Sequence, residues 1–414
     1  MAFQQGLSGL SGASMALDVI SNNVANSSTV GFKGATTKFG DVYAAALNGA
    51  ASGVQVGIGV ATAQVAQSFT QGNVTPTNNP LDIAINGNGF FQIRQPDGSM
   101  AYTRNGQFEL DKSGYIVTPQ SAHLQGYPIG APNGPASDLK LDTSDIPPCI
   151  TSSVKLGLNL DSRSEPPTVP FQSTATNPLP DPLSYNASTS VALYDSLGNS
   201  HIFTMYFVSL ADGNWDVLAS TDGAPATSLS AGGAGTPTIS FDQSGALTTT
   251  MPVDVGAQID PIYGAASPIS FTLDCTGSSQ YGSAFGVNRL ENDGYASGRL
   301  TGITIGQDGQ VLGRYSNGQS KNVGRIVMAN FADPNGLISL GQNLWGESLA
   351  SGQPMVGAPG SGSLGQLVSG AIEESNVDLT KELVNMIIQQ RNYQANSQSI
   401  KTQDQILQTL VNLR

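Results

Sequence analysis

The fold of this chain turns on Leu379-Thr-Lys-Glu-Leu-Val-Asn-Met-Ile-Ile-Gln-Gln-Arg-Asn-Tyr-Gln-Ala-Asn-Ser-Gln-Ser-Ile-Lys-Thr-Gln-Asp-Gln-Ile-Leu407. A seven-residue step joins Leu379, Met386, Tyr393, Ile400 and Leu407, and Leu383, Ile387, Leu410 and Val411 widen the stripe, while Gln, Asn, Ser and Lys fill the other face. This is the spacing of an amphipathic helix. Asn376 or Ser375 can cap its start, and Asp378 suits the positive end of the helix dipole. Near the opposite end of the chain, Phe3, Leu10, Leu17 and Val24 repeat the step, with Ala13 and Ile20 three residues after two of them. The pattern predicts helices over 3–26 and 376–413, about 36 Å and about 57 Å long at 1.5 Å per residue. Most apolar helical stripes simply pack on their own domain. Here the apolar side chains are few for the length, and Gly6, Gly9 and Gly12 weaken the first helix. A lone pair of such helices buries too little to offset the ordering of its backbone. Both ends are therefore expected to be coiled-coil-like elements that pair in a core and become ordered against other copies.

The middle of the chain reads as β-structure. Turn signals recur at Pro96-Asp97-Gly98, Lys112-Ser113-Gly114, Ser196-Leu197-Gly198-Asn199, Asp212-Gly213, Asp242-Gln243-Ser244-Gly245 and Asp308-Gly309. Short β-prone runs lie between them, among them Leu81 to Ile85, Phe90 to Ile93, Tyr115 to Thr118 and Ile202 to Val208. No βαβ alternation is present, which excludes a parallel nucleotide-binding sheet. Composition sets the boundaries: residues 44–60 are rich in Ala and Gly, 166–182 hold six prolines, and 351–365 are mostly Gly, Ser, Pro and Ala. Between Asp145 and Phe285 there are twelve acidic residues and only Lys155 and Arg163. The expected architecture is multidomain and mainly β with terminal α-helices. Residues 1–32 and 366–414 form a helical core domain and 33–70 a linking segment. An inner β domain of 71–144 and 286–365 is interrupted by an acidic outer β domain, 145–285.

Composition narrows the function further. A net charge of −13 over 414 residues disfavours nucleic acid or an anionic membrane as partner. His123 and His201 are too few for a histidine metal cluster, and Cys149 and Cys275 form neither a zinc motif nor a CxxC pair. No metal or cofactor is expected, and no run is apolar enough to insert in a membrane. The first 20 residues lack a basic n-region and are broken by glycine, unlike a cleavable signal peptide. His123 and His201 read as structural or exposed, Trp215 and Trp345 as core aromatics, and Cys149 and Cys275 as free thiols.

At residues 18–34 the chain reads Asp18-Val-Ile-Ser-Asn-Asn-Val-Ala-Asn-Ser-Ser-Thr-Val-Gly-Phe-Lys-Gly34. Asn22, Asn23 and Asn26 tolerate a left-handed backbone, and Gly31 allows positive φ after a helix. Phe32 offers an anchor, and Lys33 a cation beyond the helix end. The string, with Ser21 and Thr29, resembles the N-terminal signature of bacterial flagellar rod and hook axial proteins. Three more stretches are similar to the same family: Pro80-Leu-Asp-Ile-Ala-Ile-Asn-Gly-Asn-Gly-Phe-Phe91, then Tyr102-Thr-Arg-Asn-Gly-Gln-Phe108 with Leu124-Gln-Gly-Tyr127, and finally Glu374-Ser-Asn-Val-Asp-Leu-Thr380 with Gln390-Arg-Asn-Tyr-Gln-Ala-Asn396. They cover the two ends of the chain in the family's order. The moderate insert, with Tyr194-Asp-Ser-Leu-Gly-Asn199 and Phe285-Gly-Val-Asn288, resembles the hook-forming members rather than the shorter distal rod or the longer hook–filament junction members.

That resemblance implies a non-enzymatic, helical, tubular homopolymer acting as a universal joint that passes torque from motor and rod to filament. It implies an extracellular place in the hook of the bacterial flagellum, with the basal body. The implied partners are further copies of the chain, rod, hook-cap and hook–filament junction proteins, and the flagellar type III export apparatus, which takes subunits without cleavage. The polymer interface is expected at Phe3, Leu10, Leu17, Ile20, Val24, Leu379, Leu383, Met386, Tyr393, Ile400 and Leu407. Two readings from other classes compete with it. The acidic β middle could belong to an extracellular hydrolase, but Glu165 is the only glutamate between 145 and 285, and the aspartates sit mostly in turns. An adhesin would account for the β middle and leave the heptad-spaced ends unexplained.

Overall fold

The computed structural model describes residues 2–42, 57, 59–129, 134–229, 238–256 and 270–412. It is mainly β, with a helix at each end: α1 (Ala2–Ala25) and α2 (Leu379–Asn412). The cap of α2 is Asp378, whose carboxylate accepts the Lys381 N–H at 3.1 Å. Ser375 and Asn376 lie upstream of the helix, and Asn376 is committed elsewhere, as described below. Most of the Ala- and Gly-rich boundary at 44–60 falls outside the described residues, as do the side chains of Leu410 and Val411.

The described chain divides into two compact units. The first takes in residues up to Thr143, Gly302–Arg314, and everything from Ser320 onward, so the helical termini and the inner β region share one unit. The chain's return causes this. The strand Ala371–Glu373 pairs antiparallel with β3 (Val74–Pro76), and Gln366–Ser369 pairs with β4 (Ile83–Asn86). The two ends of the chain are thereby tied before α2 begins. Residues 33–70, expected as a linking segment, carry an antiparallel ribbon of β1 (Ala35–Val42) and β2 (Gly59–Gln67). Beyond it, a larger antiparallel sheet places Ser320–Ile326, His123–Pro128, β5 (Phe90–Arg94), β6 (Met100–Thr103), Leu344–Gly346 and Ile338–Gly341 side by side. Its core includes Ile83, Ile85, Phe91, Ile93, Leu124 and Ile326. A second cluster joins Phe90, Tyr102, Phe331 and Trp345, with Tyr102 edge-on to Phe331 at 4.8 Å.

The second unit spans Ser144–Thr301 with Tyr315–Gln319, past the expected end at residue 285. It extends because Gly286–Asn292 pairs along Ser153–Asp161, from Val154 opposite Asn292 to Asn159 opposite Gly286. A second sheet is built on Ala187–Tyr194, Ser200–Ala211 and Asn214–Thr221. Both sheets contribute to one core, with Leu156, Leu158, Phe271 and Leu273 from the first and Phe203, Phe207 and Trp215 from the second. The aspartates of this unit explain its turns. Asp195 Oδ1 accepts the N–H of Leu197 at 2.9 Å and of Asn199 at 2.8 Å, and Asp242 repeats the pattern with Ser244 and Ala246.

Candidate functional site

The first functional element is the junction where α1 ends. Asn26 closes the last turn on the Asn22 carbonyl, and Asn26 and Thr29 continue the chain of side-chain bonds. Gly31 then adopts φ +69°, and a Cβ there would lie 2.6 Å from the Asn105 nitrogen. Only glycine fits both the angle and the space. Asn23, 2% exposed, bonds both backbone groups of Ala35, donating to its oxygen at 2.8 Å and accepting its N–H at 2.9 Å. Its carboxamide thus stands in for one more strand residue beside β1.

Lys33 does not stay at the helix end. It is buried, with Nζ 2.5 Å from Glu373 Oε1 and 2.7 Å from the Thr70 carbonyl oxygen. Glu373 also accepts from the Gly72 N–H at 2.9 Å and from Arg104 Nη1 at 3.3 Å, while Arg104 Nη2 donates to the Gly87 oxygen at 2.8 Å. Burial pulls both Lys33 and Arg104 below their ordinary values, and Glu373 opposes the shift in each. Asn376 completes the junction by accepting the Gly34 N–H at 2.8 Å and donating to the Ser68 oxygen at 2.7 Å. The signature around residues 21–34 therefore fixes the exit of α1 to the entrance of α2. Ser21 and Asn22 remain exposed and Phe32 half-buried.

The second element is the helix pair. α1 and α2 run antiparallel, with Gly6 against Ile400 and Gly9 against Asn396. A Cβ on Gly9 would sit 2.8 Å from the Asn396 side chain, whose carboxamide would have to turn aside to admit it. α1 turns Gly6, Gly12, Ala13, Ala16 and Ile20 inward. α2 answers with a half-buried face that is largely polar: Glu382, Asn385, Gln389, Asn396 and Gln403, with Met386 and Ile400. Its aliphatic face points away. Leu379, Leu383, Val384, Ile387, Ile388, Ile406 and Leu407 are 45–57% exposed, and on α1 so are Phe3, Leu7 and Met15 at 40–52%.

Of the residues expected at an assembly face, Phe3, Leu379, Leu383, Tyr393 and Leu407 are exposed; Leu10, Leu17, Val24, Met386 and Ile400 are half-buried. Ile20 is a correction. It is 8% exposed, because it lies in line with Ala13 and Ala16 on the face turned into the chain's own packing. The strict seven-residue step passed over Leu7, Met15, Val384, Ile388 and Ile406, which the ordinary 3.6-residue helical period places on the outward faces.

Residues 3–33 match a family model described as flagella basal body rod protein, and 368–413 match the flagellar basal body rod FlgEFG protein C-terminal model. Residues 84–153 match the flagellar hook protein FlgE/F/G D1 domain and 159–295 the flagellar basal body protein FlaE D2 domain. The flagellar hook protein FlgE of Escherichia coli (strain K12) is 42% identical over 428 residues, with 100% of both chains covered. The chain belongs to the flagellar hook protein family. The family's FlgE of Salmonella typhimurium is likewise 42% identical over 423 residues with 100% of both chains covered, and that of Borreliella burgdorferi 30% over 453 residues, covering 99% of this chain and 98% of the other. A crystal structure of Helicobacter pylori flagellar hook protein FlgE2 shares the fold at TM-score 0.51 and 14% identity, covering 72% of this chain and 99% of that one. Membership makes the chain a structural, self-polymerising protein of the flagellar hook and basal body. The models at 3–33 and 368–413 contain Lys33 and Glu373, the two ends of the buried pair.

The remaining reactive groups are quiet. Among the described residues no group of three or more His, Cys, Asp or Glu side chains is placed to hold a metal. Burial pushes the Cys275 thiol up to about 12, away from the thiolate form that reacts. Cys149 and Cys275 are both free. Trp215 and Trp345 are buried in the two cores.

Proposed function

We propose that the outward apolar faces of α1 and α2 are the seams by which copies of this hook-family chain join into a tube. In that tube the helices give axial continuity while the sparsely charged β surfaces make contacts that exchange as the tube bends and passes torque. What carries the reading is the orientation of α2: its polar face packs on α1 within one chain, and its aliphatic face, Leu379 to Leu407, is left for another molecule. With charged residues only 11% of the chain, the β surfaces have few strong ion pairs to break on sliding. Rod, hook-cap and hook–filament junction proteins would contact the two ends of the tube. The subunit would reach its extracellular site through the flagellar type III apparatus, and would catalyse nothing. Electron microscopy of the purified full chain tests the central claim. The wild type should form curved tubes, and Leu383→Asp or Leu407→Asp should leave only folded monomers, because a carboxylate buried in the seam recurs in every subunit. Normal tubes from both variants would overturn the reading.

A further inference from the structure

Each outward helix face carries one isolated charge, and the two are opposite. Asp18 is the sole charged residue of α1 and is exposed. On α2, Arg391 is exposed, with Ile387 and Ile388 one turn before it and Gln394 and Ala395 one turn after. The other cations of α2 have acids one turn away, Asp378 for Lys381 and Asp404 for Lys401. Among the described residues neither Asp18 nor Arg391 has an ion-pair partner. A seam that covers Ile387 and Ile388 also takes the guanidinium out of water, and an unpaired charge there opposes assembly.

We propose that Asp18 of one copy pairs with Arg391 of a neighbouring copy and sets the register of the α1–α2 seam between them; this rests on the helices being self-assembly faces. The spacing of exposed residues supports the pairing. In a head-to-tail polymer every copy has the same orientation, so α1 of one and α2 of the next run antiparallel, as they do within the chain. With Asp18 opposite Arg391, Phe3 comes opposite Ile406, since each lies fifteen residues from its charge, about 22 Å along the helix. Seven residues the other way, Ala25 comes opposite Val384. All six residues are exposed in the single chain. One register thus satisfies the charge pair and brings apolar side chains together on both sides of it.

Charge reversal of the full chain provides the test. Asp18→Arg and Arg391→Asp are each expected to raise the critical concentration for assembly about tenfold or more, equivalent to about 1.4 kcal/mol per added subunit. The double reversal should return it to within about threefold of wild type, a coupling that separate structural damage would not produce. Tryptophan fluorescence of each variant establishes that the β cores are intact. Singles that assemble like wild type, or a double variant no better than the singles, would overturn the pairing. Leu383→Asp is the control on the underlying reading: if it assembles normally, the helix faces are not the seam, whatever the reversals do.

Discussion

Glu373 holds two buried cations, Lys33 and Arg104, and one carboxylate cannot neutralise both. Removing it leaves two uncompensated charges, whereas removing Lys33 leaves a balanced Arg104–Glu373 pair and a Thr70 carbonyl reduced to its longer bond, 3.2 Å, from the Asn376 amide. Glu373→Gln should therefore cost about 3–5 kcal/mol, and Lys33→Met about 1–3 kcal/mol, as denaturant titration would read. A smaller loss for Glu373→Gln than for Lys33→Met would contradict this accounting. The sign of the pH effect also follows. Burial holds Lys33 below its ordinary 10.5, so between its folded value and 10.5 the unfolded chain binds the proton that the folded chain has released. Stability relative to Lys33→Met should rise with pH across that window and level off above it. Part of this was legible in the sequence: Gly31 announces a positive φ after a helix. The destination of Lys33 was not, because its partner lies 340 residues away and nothing local marks Glu373 as buried.

The two helices show how a residue pattern can identify an element and still leave its facing open. The apolar spacing of residues 379–407 located α2, and the early stripe located α1. Which side each would turn inward was decided by features that read as flaws. Gly6, Gly9 and Gly12 cost helix stability in isolation, yet Gly6 and Gly9 let α1 approach the Ile400 and Asn396 side chains, and Gly12 lets it approach Phe39 and Val60 of the β1–β2 ribbon. Small residues on one helix and amides on the other form the internal contact, so the larger aliphatics are free to face out. Gly9 separates these roles. Gly9→Ala adds a Cβ that meets only the movable end of Asn396, and the gain in helix propensity, about 0.8–1 kcal/mol, should offset the crowding. Gly9→Leu cannot be placed without parting the helices. Circular dichroism should show equal or higher helicity for the alanine variant and a loss for leucine. Equal behaviour of the two would mean that the helices are not in close contact at this position.

At the scale of the whole molecule, the acidic composition of the middle pointed to a separate β unit but not to its end, because Arg289 lies in a strand that pairing, not charge, assigns to it. Two units with separate cores imply two unfolding events, and the chain supplies its own reporters. Its two tryptophans are divided between the units: Trp345 is 6% exposed in the core beside Phe90 and Phe331, and Trp215 is 1% exposed in the core beside Phe203 and Phe207. With Trp215→Phe, fluorescence follows only the unit that contains the helices; with Trp345→Phe, only the acidic unit. The buried cluster at Glu373 joins Lys33, Arg104 and Glu373, all within the first unit. Introduced into each single-tryptophan background, Glu373→Gln should lower the denaturant midpoint reported by Trp345 and leave that reported by Trp215 in place, with the slopes unchanged. A common shift of both midpoints would mean that the two cores unfold as one cooperative block. Independent shifts would mean that a contact surface on the acidic unit can be altered without disturbing the junction that holds the terminal helices.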